Sequence, residues 1–204
     1  MSAHKNVAII LAAGAAKRMG EAKQLLKYKG KSLLEWSIEK ALSLEIPVVM
    51  VLGANAEHIK SNIDTGKVYI SINKDWDRGM STSIGCGLES ALKLVPAASG
   101  VLLMLADQPA ITKDHLKVLL YAGTSGDKMV ATEYEESLGV PAYFPGRYFK
   151  DLMNLSGDQG AKSLFGKSAE VTEIPFEAAA LDIDTQQDWL NFIQGNSDID
   201  NSGN

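Results

Sequence analysis

Cysteine occurs once in this chain, at Cys86, and histidine three times. A lone thiol forms no internal disulfide, and with three histidines it cannot complete a structural zinc site, so a reducing cytoplasm is the expected compartment. No apolar stretch nears the roughly 20 residues that a bilayer crossing needs, and the first residues lack the basic region, apolar run and cleavage site of a signal peptide. Positive charge is also scarce: 20 Lys and Arg face 25 Asp and Glu, a net charge of -5. That balance argues against general affinity for nucleic-acid backbone or an anionic membrane, while leaving room for a local basic pocket. Neither a Walker A motif nor a Gly-x-Gly-x-x-Gly loop is present, and no internal repeat is visible.

What is present suits one folded unit. At 204 residues, 46% hydrophobic and 22% charged, the chain supports a single domain with a sizeable core, expected over residues 1–195. Residues 196–204 are polar and acidic and read as a disordered tail. Apolar runs without alternation recur at residues 7–11, 47–52 and 101–105, separated by helical patterns at 32–44, 56–62 and 81–95. Strands buried on both faces by crossover helices have this rhythm. A short strand is expected at 68–72 and a helix at 112–122, capped by Thr112. Past residue 125 the rhythm changes: strands at 129–134 and 142–144 flank a polar, glycine-containing loop and predict an antiparallel excursion. Helical segments at 149–155 and 160–167, a strand at 170–174 and a helix at 185–194 complete the reading. The expected fold is a single-domain α/β, Rossmann-like three-layer sandwich with a mostly parallel sheet.

The first strand leads into Leu11, Ala12, Ala13 and Gly14, then to Arg18 and Lys23. Small residues let the backbone approach a ligand, and successive N–H groups there can face an anion. Arg18 and Lys23 add full positive charge just beyond, a combination suited to a triphosphate. The plainer alternative is that Gly14 serves only tight packing at the start of an α/β domain.

Asp107 follows Leu105 and Ala106, where a buried strand reaches the cleft at the carboxyl end of an open sheet. It either holds a cation or caps the next helix. Asp184 lies in a second acidic segment, and two hard oxygen ligands with water and phosphate oxygens would complete an octahedral magnesium site. Its alternative role is N-cap of the last helix, with Asp182 as the other candidate ligand. Ser83 opens a helix whose N–H groups can meet a nucleoside or phosphate, or it simply caps that helix. Trp76 and Met80 either line a pocket or cover core. Cys86 is assigned packing, and the scattered histidines have no metal-ligand spacing.

Taken together, Leu11-Ala12-Ala13-Gly14-x-x-x-Arg18-Met19-Gly20-x-x-Lys23 resembles the signature loop of the molybdenum cofactor cytidylyltransferases and their guanylyl relatives. Four further segments match in order: Trp76-x-x-Gly79-Met80-x-x-Ser83-x-x-x-Gly87, Leu105-Ala106-Asp107-Gln108-Pro109, Gly157-Asp158-Gln159-Gly160-Ala161-Lys162 and Asp182-Ile183-Asp184-Thr185. The resemblance implies a nucleotide-diphospho-sugar transferase type of fold and transfer of CMP from CTP to the phosphate of molybdopterin, with release of pyrophosphate. It implies Mg2+ held by Asp107 and Asp184. Arg18 and Lys23 would then stabilise charge, while Leu11, Ala12, Ala13, Gly14 and Ser83 meet the substrates. A molybdoenzyme or its chaperone would be the partner, with no role for nucleic acid or membrane. GTP as donor, a sugar phosphate as acceptor, or a non-catalytic cofactor carrier are the alternatives. Two departures stand out: Ala16 where the family commonly has Ser, and Lys162 where Arg is usual.

Overall fold

The first strand, β1 (Asn6–Ala12), is buried along its whole length in a computed structural model that describes residues 5–16, 19–20, 22–167 and 170–201. Its position explains the burial. β4 (Val48–Leu52) and a later strand, β6 (Gly100–Leu105), pair with it in parallel on either side, and helices cover both faces. Between β1 and β4 lie a small hairpin, β2 (Lys27–Tyr28) with β3 (Lys31–Ser32), and helix α1 (Leu33–Leu42). Ser32 caps α1 through a reciprocal box. Its Oγ accepts from the Glu35 N–H at 3.2 Å while the Ser32 N–H donates to Glu35 Oε2 at 2.7 Å.

After β4 come α2 (Ala56–Asn62), edge strand β5 (Tyr69–Ile72) and α3 (Met80–Leu94), which leads into β6. The chain continues with α4 (Lys113–Gly126), β7 (Met129–Tyr134), β8 (Ser137–Pro145), α5 (Phe149–Met153), β9 (Val171–Pro175) and α6 (Gln186–Asn201). The sheet order is β5-β4-β1-β6-β8-β7-β9. β8 alone runs antiparallel to its neighbours, β6 and β7, and β9 returns parallel to β7. The single α/β domain with a mostly parallel seven-stranded sheet is as expected from the sequence.

Alternation along the strands divides the core. Ala8, Ile10, Met50, Leu52, Leu102 and Met104 point to the face covered by α1, α2 and α4. Val7, Ile9, Val49, Val51, Val101 and Leu103 point to the face covered by α3 and α5. A third, smaller cluster of Met19, Leu33, Ile183 and Phe192 seats α6 beside the segment that follows β1. Each large aliphatic side chain fully withdrawn from water contributes about 1.5–3 kcal/mol, so these clusters fix the height at which the strand ends emerge.

Several boundaries differ from the sequence reading. The polar stretch expected as a loop between two strands is mostly strand: β8 begins at Ser137, and the connection is only Glu135 and Glu136, with φ of 48° and 55°. Two left-handed residues make the tight turn that matches strand twist, but glutamates there give none of the usual Asn-Gly signal. The helical segment expected at 160–167 is a 3-10 helix over Ala161–Lys167. Ala161, Leu164 and Phe165 are buried there, a spacing that either helix type satisfies. α6 runs to Asn201, past the expected end at 194 and into the segment read as a tail. No proline interrupts it, and its one glycine, Gly195, costs a helix only about 1 kcal/mol. Among the described residues no helix is long and apolar enough to cross a membrane.

Candidate active site at the carboxyl ends of the central strands

The register of the sheet brings the two chemically loaded loops together. Leu11 is level with Val51 on one side and Leu105 on the other, and the Ala106 N–H donates to the Leu11 carbonyl at 3.1 Å. The segments that follow, Ala12-Ala13-Gly14 and Ala106-Asp107, therefore leave the sheet side by side. The chain leaves β1 toward β4 and only later returns to add β6 on its other side. The strand order thus reverses at β1, which is where open α/β sheets open a crevice. Here the crevice is a cleft of about 480 Å3. Leu11, Ala12, Ala13 and Gly14 form one wall, Trp76, Met80 and Ser83 another, and Lys23, Asp107 and Asp184 meet at its floor.

Asp184 reaches this floor from 77 positions away through a backbone tie. The Ile183 N–H donates to the Asp107 carbonyl at 3.0 Å, and the Ile183 side chain is fully buried in the cluster under α6. The N-cap role is taken by Thr185, whose Oγ1 accepts from the Asp188 N–H at 3.2 Å while Asp188 accepts from Thr185 N–H at 2.8 Å. That leaves the Asp184 carboxylate turned to the cleft, where Lys23 donates to its Oδ1 at 2.8 Å and to Asp107 Oδ2 at 2.5 Å. Burial alone would lower the Lys23 pKa, but the attraction and hydrogen bonds of Asp107, then of Asp184, raise it above the ordinary lysine value. Asp182 stays at the solvent edge. Partial desolvation, followed by the charge of Asp107, raises its carboxyl to about 6.

The other Asp107 oxygen, Oδ1, is buried without a hydrogen-bond partner. A buried carboxylate oxygen left this way costs free energy unless a cation or donor meets it. Hard oxygens from Asp107 and Asp184 suit a small divalent ion, which would complete its shell with water and phosphate oxygens. Among the described residues no group of three or more His, Cys, Asp or Glu side chains forms a cage.

Ser83 lies 6% exposed at the start of α3 and accepts from Asn73 Nδ2 at 3.0 Å. It does not cap the helix; the N-cap is Gly79, with no side-chain cap bond. Gly79 has φ of 111°, and a Cβ there would lie 2.3 Å from the Gly157 carbonyl group. Only glycine lets residues 155–160 cross so closely, and the crossing is pinned by Ser81, whose N–H and Oγ both donate to the Gly157 carbonyl at 3.1 and 2.8 Å. Asp158 thereby reaches the cleft rim. Arg18, expected beside Lys23, lies outside the described residues. Ala16, the departure from the family loop, adopts φ of 49° and its carbonyl accepts from Met19 N–H at 2.9 Å. Lys162 is exposed.

Two residues that brace the loops of the site went unread in the sequence. Gln24 is 3% exposed, and its Nε2 donates to the carbonyls of Ala12 and Gly14, both at 3.0 Å, holding the two ends of the small-residue loop. Lys40 on α1 donates to the Pro109 carbonyl at 2.7 Å, and desolvation lowers its pKa to about 8. Neither has a local signature, since both act on backbone atoms brought to them by the fold.

An ammonium between two carboxylates at the strand ends, beside a loop of small residues in an open cleft, gives a site with the charge and the space to bring phosphate groups together. That is the working arrangement of a nucleotidyltransferase, and known proteins place the chain in this class. The model of the MobA-like NTP transferase domain matches residues 8–171, and the chain belongs to that family. It is 35% identical to the nicotine blue oxidoreductase of Paenarthrobacter nicotinovorans, over 91% of this chain and 95% of that one. It is 28% identical to the purine catabolism protein PucB of Bacillus subtilis, over 90% and 93% of the two chains. Among solved structures, Rv0371c of Mycobacterium tuberculosis superposes with a TM-score of 0.82 at 26% identity, over 93% and 98% of the chains. A second structure of that protein is a complex with manganese.

Proposed function

We propose that this nucleotidyltransferase transfers CMP from CTP to the terminal phosphate of molybdopterin, releasing pyrophosphate. The observation that carries the reading is the meeting of Lys23, Asp107 and Asp184 against the Ala12-Ala13-Gly14 loop in one cleft. A phosphate oxygen of the acceptor attacks the α-phosphorus of the triphosphate, and the bond to the departing pyrophosphate breaks; no protein nucleophile takes part. The loop N–H groups orient the triphosphate, and Lys23 and Arg18 offset charge on the α-phosphate and leaving group, so positioning and electrostatics carry most of the rate. Asp107 and Asp184 would hold the magnesium ion, which when bound supplies Lewis-acid polarisation of phosphate oxygens. The buried unpartnered Asp107 Oδ1 and the manganese complex of the Rv0371c protein support a divalent ion here. The wall of Trp76, Met80 and Ser83 gives an amphipathic surface for the acceptor. Preference for CTP is supported by the resemblance of Ala12-Ala13-Gly14 to the cytidylyl form of the loop.

The test is pyrophosphate release from CTP, GTP, ATP and UTP with magnesium and molybdopterin, beside Asp107→Ala. Release with CTP, lowered at least about 100-fold in the variant, is expected. Faster release with GTP overturns the base assignment and keeps the reaction. Release with a sugar phosphate alone overturns the acceptor. Silence with every nucleotide and acceptor, from folded protein, rejects the transfer reading in favour of another chemistry in the family, such as that named for the 35%-identical oxidoreductase.

A further inference from the structure

The lysine at the floor of the cleft occupies the place that the reading above gives to a metal ion. Its Nζ lies 2.5 Å from Asp107 Oδ2 and 2.8 Å from Asp184 Oδ1, in a pocket where the lysine side chain is 13% exposed and the carboxylates 21% and 40%. A magnesium ion would need those carboxylates at about 2.0–2.1 Å, inside the volume that the ammonium fills. One unit charge and a doubly charged ion cannot share that space, since at such separation their repulsion in a partly desolvated site far exceeds thermal energy.

We propose that Lys23 is a resident counter-cation: it neutralises the carboxylate pair in the free enzyme and leaves for the phosphates when a nucleoside triphosphate enters, so that divalent metal is taken up with nucleotide and not before it. The inference rests on Asp107 and Asp184 being the metal ligands. The side chain is suited to the exchange. Lysine is a point charge on a flexible four-carbon stem, and its donors can rotate from carboxylate to phosphate oxygens without the planar match that arginine requires. Residue 23 opens a 3-10 turn packed beside the Ala12-Ala13-Gly14 loop, held there by the neighbouring Gln24, so the wall that faces a triphosphate and the root of the lysine are one unit. In both positions the ammonium keeps an anionic partner, so the exchange leaves no buried charge uncompensated. Coupling follows by linkage: nucleotide raises metal affinity by vacating the carboxylates, and metal raises nucleotide affinity by the same factor.

The experiment is binding of Mn2+ alone to the whole protein, read from the electron paramagnetic resonance signal of the free ion and from the shift in Tm. Wild type should bind Mn2+ weakly without nucleotide. Lys23→Met should bind it on the order of tenfold more tightly or better, because a unit charge is removed a few ångströms from the ion. Adding Asp107→Asn to that variant should abolish the gain. Lys23→Gln, which retains an N–H donor for the carboxylates, should show the same gain if the methionine variant does not fold. A second arm measures water-proton relaxation enhancement of Mn2+ with CTP present, which reports protein-bound metal–nucleotide. Equal Mn2+ affinity in wild type and both Lys23 variants, with enhancement in the wild-type CTP complex that Asp107→Asn removes, overturns the counter-cation role and leaves the metal site standing. No enhancement in any protein, with or without CTP, overturns the metal site and the inference with it.

Discussion

Replacing Gln24 by leucine separates the restraint on the Ala12-Ala13-Gly14 loop, to which the proposed function gives the triphosphate, from the stability of the fold. The side chain is 3% exposed, and its amide NH2 spans the carbonyls of Ala12 and Gly14 at 3.0 Å each. Only the NH2 group can face two carbonyls, so the amide oxygen is turned away, where it is buried without a partner. Leucine of similar volume removes two hydrogen bonds, each about 1 kcal/mol net, and also removes an unpaired buried oxygen whose desolvation costs about 1–3 kcal/mol. The two effects largely cancel, so stability should change by about 1 kcal/mol, or roughly 2–4 °C in Tm for a chain of this size. Nucleotide binding has no such offset. A loop freed at both ends must be ordered by the ligand, at about 1–2 kcal/mol for each backbone position fixed. The KM for the triphosphate should therefore rise about tenfold or more, while the KM for the acceptor stays near the wild-type value. Steady-state kinetics with either substrate varied, beside thermal unfolding, checks this. A large fall in Tm with an unchanged nucleotide KM would show that Gln24 supports the core and not the loop.

His115 should make stability pH-dependent. Its Nε2 meets Thr132 Oγ1 at 2.8 Å, and since Thr132 donates to the Pro141 carbonyl at 2.6 Å, the imidazole is the donor, neutral and stacked on Phe176. Desolvation lowers its pKa from 6.5 to about 4. A depressed histidine gives stability that is whole above pH 6.5 and falls away down to about pH 4, by about 3 kcal/mol in total. Denaturant midpoints between pH 7 and 4.5 should fall in wild type by this contribution and show it missing in His115→Leu; equal pH slopes in the two proteins refute the assignment. Gly79→Ala combines a left-handed φ with a Cβ 2.3 Å from the Gly157 carbonyl group, so it should cost about 2 kcal/mol or more and raise the acceptor KM by moving the strap that carries Asp158. An unchanged acceptor KM in the folded variant would place that strap outside the binding surface.

The parallel core was legible because its signal is local. Unbroken apolar runs fit strands covered on both faces, and the segment at residues 32–44 carried its apolar side chains at helical spacing. The β7–β8 hairpin was misplaced because its turn uses Glu135 and Glu136 in left-handed geometry, which gives no residue-type cue. In the site, Asp107 and Asp184 could be named from short motifs. Lys40 and Gln24 could not, because their partners are carbonyl oxygens of Pro109, Ala12 and Gly14, and every residue has one.

By itself, then, the sequence determined which segments are the buried parallel strands, which loop is small and cationic, and which carboxylates follow the apolar runs, since periodicity and side-chain chemistry are carried by neighbours along the chain. Only the tertiary structure decided that Leu11 and Leu105 are level and that Ile183 ties the second aspartate to the first. It also decided that a lysine stands between the two carboxylates. Those relations cross 76 to 161 positions of sequence. They are set by sheet register and core packing, which fix distances of a few ångströms that no local pattern encodes.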